Sequence, residues 1–280
     1  MGKIETKQPE PAGCPPASAA ARQPVLIIAV GRQRVGKTTM LNVMIEMFRA
    51  HGAEIEIWNA DLHNRTHTLS LFHRDALQPP EETSLEDQKR WIEERVREMV
   101  VHRRDTVLDV GGGLTALNTL IEELHLVEML EARGIRVVLM YLLGNERADL
   151  DYLARFAEDG MFMPKATLLV FNAGLLTSGR SAKTAFTALM EHDVVVKAAR
   201  SGAEIVQMPA LSCMAAVTDR GMSFTDFAAG KQAAGHPESS FFDQERVWLW
   251  LNRDIPNMFL RIPPEWLPAI KQQLIANGHR

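Results

Sequence analysis

Cysteine is nearly missing from this chain, with Cys14 and Cys213 the two instances in 280 residues. Two thiols so far apart cannot build a disulfide framework or a thiolate zinc centre, and such usage fits a reducing cytoplasm. An excess of one charge is also lacking: 31 Lys and Arg stand against 35 Asp and Glu, for a formal net charge of -4. Global charge therefore gives no reason to expect a nucleic-acid coat, although a local basic face is compatible with it. No apolar run reaches the roughly 18 residues that cross a bilayer, and the N-terminus lacks the apolar core of a secretory signal. The expectation is a protein neither integral to a membrane nor exported. What is present, 46% hydrophobic and 24% charged residues, describes an ordinary globular chain of one large α/β domain or two small ones.

Residues 1–24 are rich in Pro, Ala and Gly with almost no large apolar side chains, so they predict a disordered tail. Gly2 to Thr6 fits the loose myristoylation pattern, read as a chance match because nothing else points to a membrane. From Val25 the chain alternates short β-branched or apolar runs with longer helical patterns. That predicts a doubly wound, mostly parallel α/β sheet with helices on both faces. The expected strands are 25–30, 54–58, 106–110, 137–143, 167–171 and 204–207. The expected helices are 38–50, 85–100, 116–132, 147–158 and 182–191. Thr83 to Glu86, "TSLE", has the form of a capping box for the second helix. Residues 231–240 read as a linker, and from Phe241 the pattern turns helical again. The simplest organisation is a main domain over 25–230 and a C-terminal helical appendage over 231–280 packed on it.

The first strand runs directly into "GRQRVGKT", Gly31 to Thr38, and then into an apolar-periodic helix. This is G-x-x-x-x-G-K-T in the strand-to-helix context that a phosphate-binding loop requires. Gly31 and Gly36 would let backbone N–H groups, with Arg34, Val35 and Thr39 around them, close on phosphate oxygens at a helix N-terminus. Lys37 would reach the outer phosphates and Thr38 would give a hydroxyl to Mg²⁺. Downstream, "DTVLDVGGG" is a buried strand whose Asp109 stands where a Walker B carboxylate would hold the hydration shell of Mg²⁺, with Gly112 in a flexible triplet beside the terminal phosphate. Asp61, just past the second strand, is placed to orient water or to bind Mg²⁺ through water. His63, His67 and His73 invite a metal reading, but a solvated polar loop explains them as well.

The order of P-loop, acidic loop, "LDVGGG" and a later "LLVFNAG" resembles the ParA/MinD family of P-loop ATPases over roughly residues 24–230. The resemblance implies a nucleotide-dependent homodimer with ATP and Mg²⁺ and an output to plasmid DNA, a DNA-binding adaptor or another cargo, with a membrane surface disfavoured. It places Asn172 on the adenine and the backbone at Pro209 along the base. The family's early P-loop lysine, which crosses to the partner subunit, is replaced here by Arg32, so that Arg32 becomes the candidate trans cation and Arg34 its substitute. Asn59 stands where many relatives carry aspartate, which implies slow hydrolysis. "FNAG" in place of N-K-x-D speaks against GTP. Two other readings stand beside this one: a carboxylate ligase resembling dethiobiotin or cobyrinate synthetases, and a nucleotide-binding scaffold with little turnover. For direct DNA contact, the basic candidates are Arg180, Lys183, Lys197, Arg200, Arg220 and Lys231. The segment 245–262 concentrates Trp248, Trp250 and Phe259, a pattern that packs on a core or offers a partner groove.

Overall fold

The computed structural model describes residues 22–61, 68–80, 84–110, 115–158, 165–176, 182–272 and 274. Along them run β1 (Val25–Val30), α1 (Lys37–Ala50), β2 (Ile55–Asn59), α2 (Leu69–Phe72), α3 (Leu85–His102) and β3 (Asp105–Asp109). Next come α4 (Thr115–Leu124), α5 (Leu126–Ala132), β4 (Arg136–Leu143), α6 (Arg147–Glu158), β5 (Ala166–Asn172), α7 (Ala182–Met190) and α8 (Asp193–Arg200). The chain closes with β6 (Glu204–Met208), α9 (Met214–Thr218), α10 (Phe224–Ala228), α11 (Phe241–Leu249) and α12 (Ile255–Phe259).

The strands form one six-stranded sheet in the order β2-β3-β1-β4-β5-β6, every pair parallel. A strand covered on both faces must be apolar at successive positions, and β1 is buried along its whole length. Its alternate side chains serve two cores. Val25, Ile27 and Ala29 join the cluster containing Met44, Phe48 and the C-terminal Trp250 and Phe259. Leu26, Ile28 and Val30 join the opposite one, with Ile92 of α3, Leu120 of α4, Leu130 of α5 and Phe186 of α7. Helices therefore lie on both faces, and each large apolar side chain so buried contributes on the order of 2 kcal/mol before entropy is counted.

The structure departs from the sequence expectations in several places, among them the short helices α2, α9 and α10, which the sequence pattern did not mark. The helix expected over 116–132 is broken at His125, whose backbone is left-handed at φ 46. The break re-phases the helix, leaving Leu124 exposed while Leu126, Val127 and Leu130 face the core. The capping box sits one residue later than expected: Ser84 Oγ accepts from the Asp87 backbone N–H, and Asp87 answers at the Ser84 N–H. Helix α3 begins at Leu85, which makes Asp87 rather than Glu86 the third helical residue, and Thr83 lies outside the described residues. Helix α8, missed in the sequence, uses His192 as its N-cap, a residue type rarely read as a start signal.

The C-terminal segment packs along the α1 face. Phe259 meets Phe48 edge-on at 5.1 Å, and Val247, Ile255, Met258, Ile262 and Leu267 are buried in the same cluster as α1. A π-helical turn, Trp250–Asp254, joins α11 to α12. Beyond it the chain reaches the amino end of the sheet. There the Lys271 N–H donates to the His51 carbonyl at 3.0 Å and the Ala269 N–H to Asp105 Oδ2 at 2.7 Å. Among the described residues no helix is long and apolar enough to cross a membrane.

Candidate nucleotide site

Ligands of parallel α/β sheets bind beyond the carboxyl ends of the strands, and the sequence-selected residues gather there. The turn from β1 into α1 needs two glycines for different reasons. A Cβ on Gly31, at φ +144, would lie 2.6 Å from the Leu142 carbonyl oxygen; one on Gly36, at φ +96, would lie 2.4 Å from Asn172 Nδ2. The loop is thus pressed against the ends of β4 and β5 with no room for side chains. Helix α1 starts after Gly36 with no side-chain cap and no acidic residue in its first turn, so its opening N–H groups are uncompensated donors. Thr39 lies half-buried in that turn.

Lys37 folds back over the loop, its ammonium donating to the carbonyls of Gly31 and Arg32, each at 2.9 Å. Burial lowers its pKa, opposed by the charges of Asp109 and Asp61. A half-buried ammonium tethered only by carbonyls is a ready counter-charge for phosphate. Thr38 Oγ1 donates to Asp109 Oδ2 at 3.0 Å. Asp109 is 1% exposed and its other oxygen, Oδ1, has no hydrogen-bond partner. Burial pushes this carboxyl up to about 6, with the Thr38 hydrogen bond pulling the other way and Asp61 adding repulsion. An orphaned buried carboxylate oxygen beside a hydroxyl fits a hard divalent cation such as Mg²⁺, which takes oxygen ligands and keeps waters. Thr38 and Asp109 would hold it, and when bound it would supply charge neutralisation for phosphate oxygens.

Asp61 reaches this corner through Asn59. Strands β2 and β3 run level there, Asn59 pairing with Asp109 and the Ala60 N–H donating to the Asp109 carbonyl at 2.9 Å. Asn59 Oδ1 accepts from the Asp61 N–H at 3.3 Å, and Asn59 Nδ2 donates to Ser70 Oγ at 2.7 Å. Sequence reading noticed Asn59 only as a missing aspartate; here it ties together the two ends of the loop between β2 and α2.

The two arginines differ. Arg32 turns away from the phosphate loop, its Nη1 2.7 Å from Glu146 Oε2 and 3.3 Å from Asp149 Oδ1. Hydrogen bonding to Glu146 raises its pKa against a smaller desolvation effect. Asp149 is 3% exposed and also accepts from the Gly144 and Glu146 N–H groups, so the guanidinium is docked on a preformed acidic turn. Arg34 is exposed, held at φ 65 without a glycine's freedom, and has no hydrogen bond or ion pair among the described residues. At the other end of the site, the Asn172 carboxamide is engaged with Val35 and Gly174, and the Pro209 carbonyl accepts from Trp250 Nε1 at 2.9 Å.

Of the remaining candidates, Gly112, His63, His67 and Arg180 lie outside the described residues, as does the side chain of Lys183. His73 is buried, its Nε2 without a partner, and burial followed by the Arg49 charge lowers its pKa to about 4. Among the described residues no group of three metal-ligating side chains occurs. The described basic residues proposed for DNA stand on separate elements. Lys197 and Arg200 are exposed in the last turn of α8, Arg220 is bonded to the Ala216 and Pro237 carbonyls, and Lys231 pairs with Asp226 at 2.7 Å.

No protein-family model matches the chain, and no curated protein matches it. Among solved structures it is similar to the septum site-determining protein MinD of Pyrococcus horikoshii complexed with Mg-ADP, at 13% identity and TM-score 0.46 over 83% of this chain and 97% of that one. It is also similar to the MinD cell division protein of Aquifex aeolicus, at 15% identity and TM-score 0.41 over 80% and 95% of the two chains. A third is cell division protein FtsY of Thermotoga maritima, at 16% identity and TM-score 0.40, over 82% of this chain and 69% of that one. Likenesses at this level carry no residue roles; the fold rests on the sheet order and the site on the distances above.

Proposed function

We propose that the chain is an ATP-binding and hydrolysing switch of the ParA/MinD type, acting in the cytoplasm as a homodimer that forms around ATP and Mg²⁺ and separates after hydrolysis. The observation that carries the reading is the Thr38–Asp109 pair, 3.0 Å apart beside Lys37, with Asp109 Oδ1 buried and unpaired. That corner supplies a metal ligand set and a phosphate counter-charge within one loop and one strand end. Asp61, held by Asn59 over the same corner, orients the attacking water. Turnover is slow because Asn59 provides an amide where a second carboxylate would serve.

In the dimer the cation that reaches the neighbouring phosphates is Arg34 rather than Arg32. The first is exposed on the loop and unpaired among the described residues, whereas the second is docked on Glu146 and Asp149 of its own chain. The output is movement or retention of plasmid DNA or another cargo, through direct contact or a DNA-binding adaptor. Light scattering with Mg²⁺ and either ADP or a non-hydrolysable ATP analogue tests the reading. The expected result is a doubled mass with the analogue alone, lost in Arg34→Ala and kept in Arg32→Ala. An unchanged mass with both nucleotides would transfer the site to a ligase, exposed by a substrate screen for ADP release, or to a scaffold that keeps ATP.

A further inference from the structure

We propose that Asn172 is a positioning residue of the phosphate loop, fixing the Val35–Gly36 turn against the end of β5 for any polyphosphate ligand, whatever its base. The proposal rests on the reading of residues 31–38 as a phosphate site. Asn172 is the last residue of β5, in register with Met208 of β6, and is 6% exposed. Its Nδ2 donates to the Val35 carbonyl, 137 residues earlier in the chain, at 2.9 Å, and its Oδ1 accepts from the Gly174 N–H at 2.9 Å. A carbonyl on one side and an N–H on the other admit only this orientation of the carboxamide, so the assignment of its nitrogen and oxygen is fixed by the partners.

The contact is close as well as specific. Gly36 is favoured by its backbone at φ +96, and the 2.4 Å approach of a Cβ there to Nδ2 shows how closely Asn172 presses on the same turn. The residue that follows is Lys37, and then the open N–H groups of α1, so a shift of this turn moves every donor that would meet phosphate. No other residue type serves both contacts equally: aspartate would set an oxygen against the Val35 carbonyl, and serine would not reach it. With both ends of the carboxamide engaged inside the chain, its contribution to binding is shared by all ligands whose phosphates enter the loop.

The test has a ligand-free and a ligand-bound half, on wild type, Asn172→Ala and Asn172→Asp, the last preserving the bond to Gly174. Amide hydrogen exchange without ligand is expected to quicken at least about tenfold across residues 31–41 in both variants, the loss expected for a buried hydrogen bond left unmade. Calorimetric titration with Mg²⁺ and ATP, or Mg²⁺ and inorganic tripolyphosphate, is expected to show both affinities falling by the same factor. Unchanged exchange in the folded Asp variant overturns the proposal. So does a fall for ATP with tripolyphosphate untouched, which would mark Asn172 as a reader of the base. A folded wild type that takes up neither ligand would overturn the phosphate-site reading instead, while the exchange data still decide whether Asn172 holds the loop.

Discussion

Strand β3 carries an aspartate at each end, both buried and differently employed. At the amino end, Asp105 accepts from Arg22 Nη1 at 2.9 Å through both oxygens, from the Val25 N–H at 2.9 Å and from the Ala269 N–H at 2.7 Å, and Arg22 goes on to the Leu267 carbonyl. At the carboxyl end, among the described residues, Asp109 has the Thr38 hydroxyl on one oxygen and no hydrogen-bond partner on the other. A buried carboxylate is tolerated only when its lone pairs are met. Asp105 is complete within the chain; Asp109, among the described residues, is not. The structural carboxylate and the proposed metal ligand are thus separated by the length of a five-residue strand.

That contrast breaks most directly at Asp105. Asp105→Ala should lower the unfolding free energy by about 3 kcal/mol in chemical denaturation, since it leaves the buried Val25 N–H without a partner and takes away the partly buried bonds from Arg22 and Ala269. Asp109→Asn should cost nothing in the same assay at pH 7.5, because burial disfavours the charge it removes. It should, however, abolish the rise in melting temperature that Mg²⁺ and nucleotide give the wild type. Equal losses in both variants would erase the distinction.

A buried group without a partner can also be charged from outside. His73 has a folded pKa near 4 against 6.5 when free, so the unfolded chain binds the extra proton between those values. Stability should therefore fall as pH drops from about 6.5 to about 4, by about 3 kcal/mol when complete. Urea midpoints across that range should flatten in His73→Leu, and an unchanged slope would remove His73 from the account. Lys37→Ala should weaken nucleotide binding by about a hundredfold, roughly 2.7 kcal/mol, with melting of the free protein little changed. Wild-type affinity in that variant would dismantle the whole corner. The smallest effect is expected from Arg32→Ala, whose ion pair lies partly in solvent: an unaltered melting temperature and an unaltered mass with the ATP analogue.

The sheet was legible because most of its strands are β-branched or apolar runs between helical patterns, and the P-loop because its two glycines and Lys37 follow the first of them. Asp109 could be picked out by its place after "TVL". The ends of elements were less legible, since the chain extends α3 and β4 beyond the apolar pattern and places caps on Ser84 and His192. What one sequence could not tell is which way a side chain turns. Nothing in "GRQRVGKT" distinguishes an arginine docked on residues 146 and 149 from one facing outward. Nothing in "FNAG" reveals that the asparagine reaches back to residue 35. Such contacts join points more than a hundred residues apart and are decided by tertiary packing.

The shell around Asp105 also sets a timetable. One of its donors is the backbone of residue 269, while another belongs to residue 25 at the start of the first strand. A chain emerging from the ribosome can pair β1 with β3 early, yet it must leave this carboxylate short of one donor until residue 269 has been made. Contacts of such sequence separation are slow to form. Closure of the sheet's amino end thus waits on residue 269, and a nascent chain that stalls before it would carry that end unfinished for proteases to find.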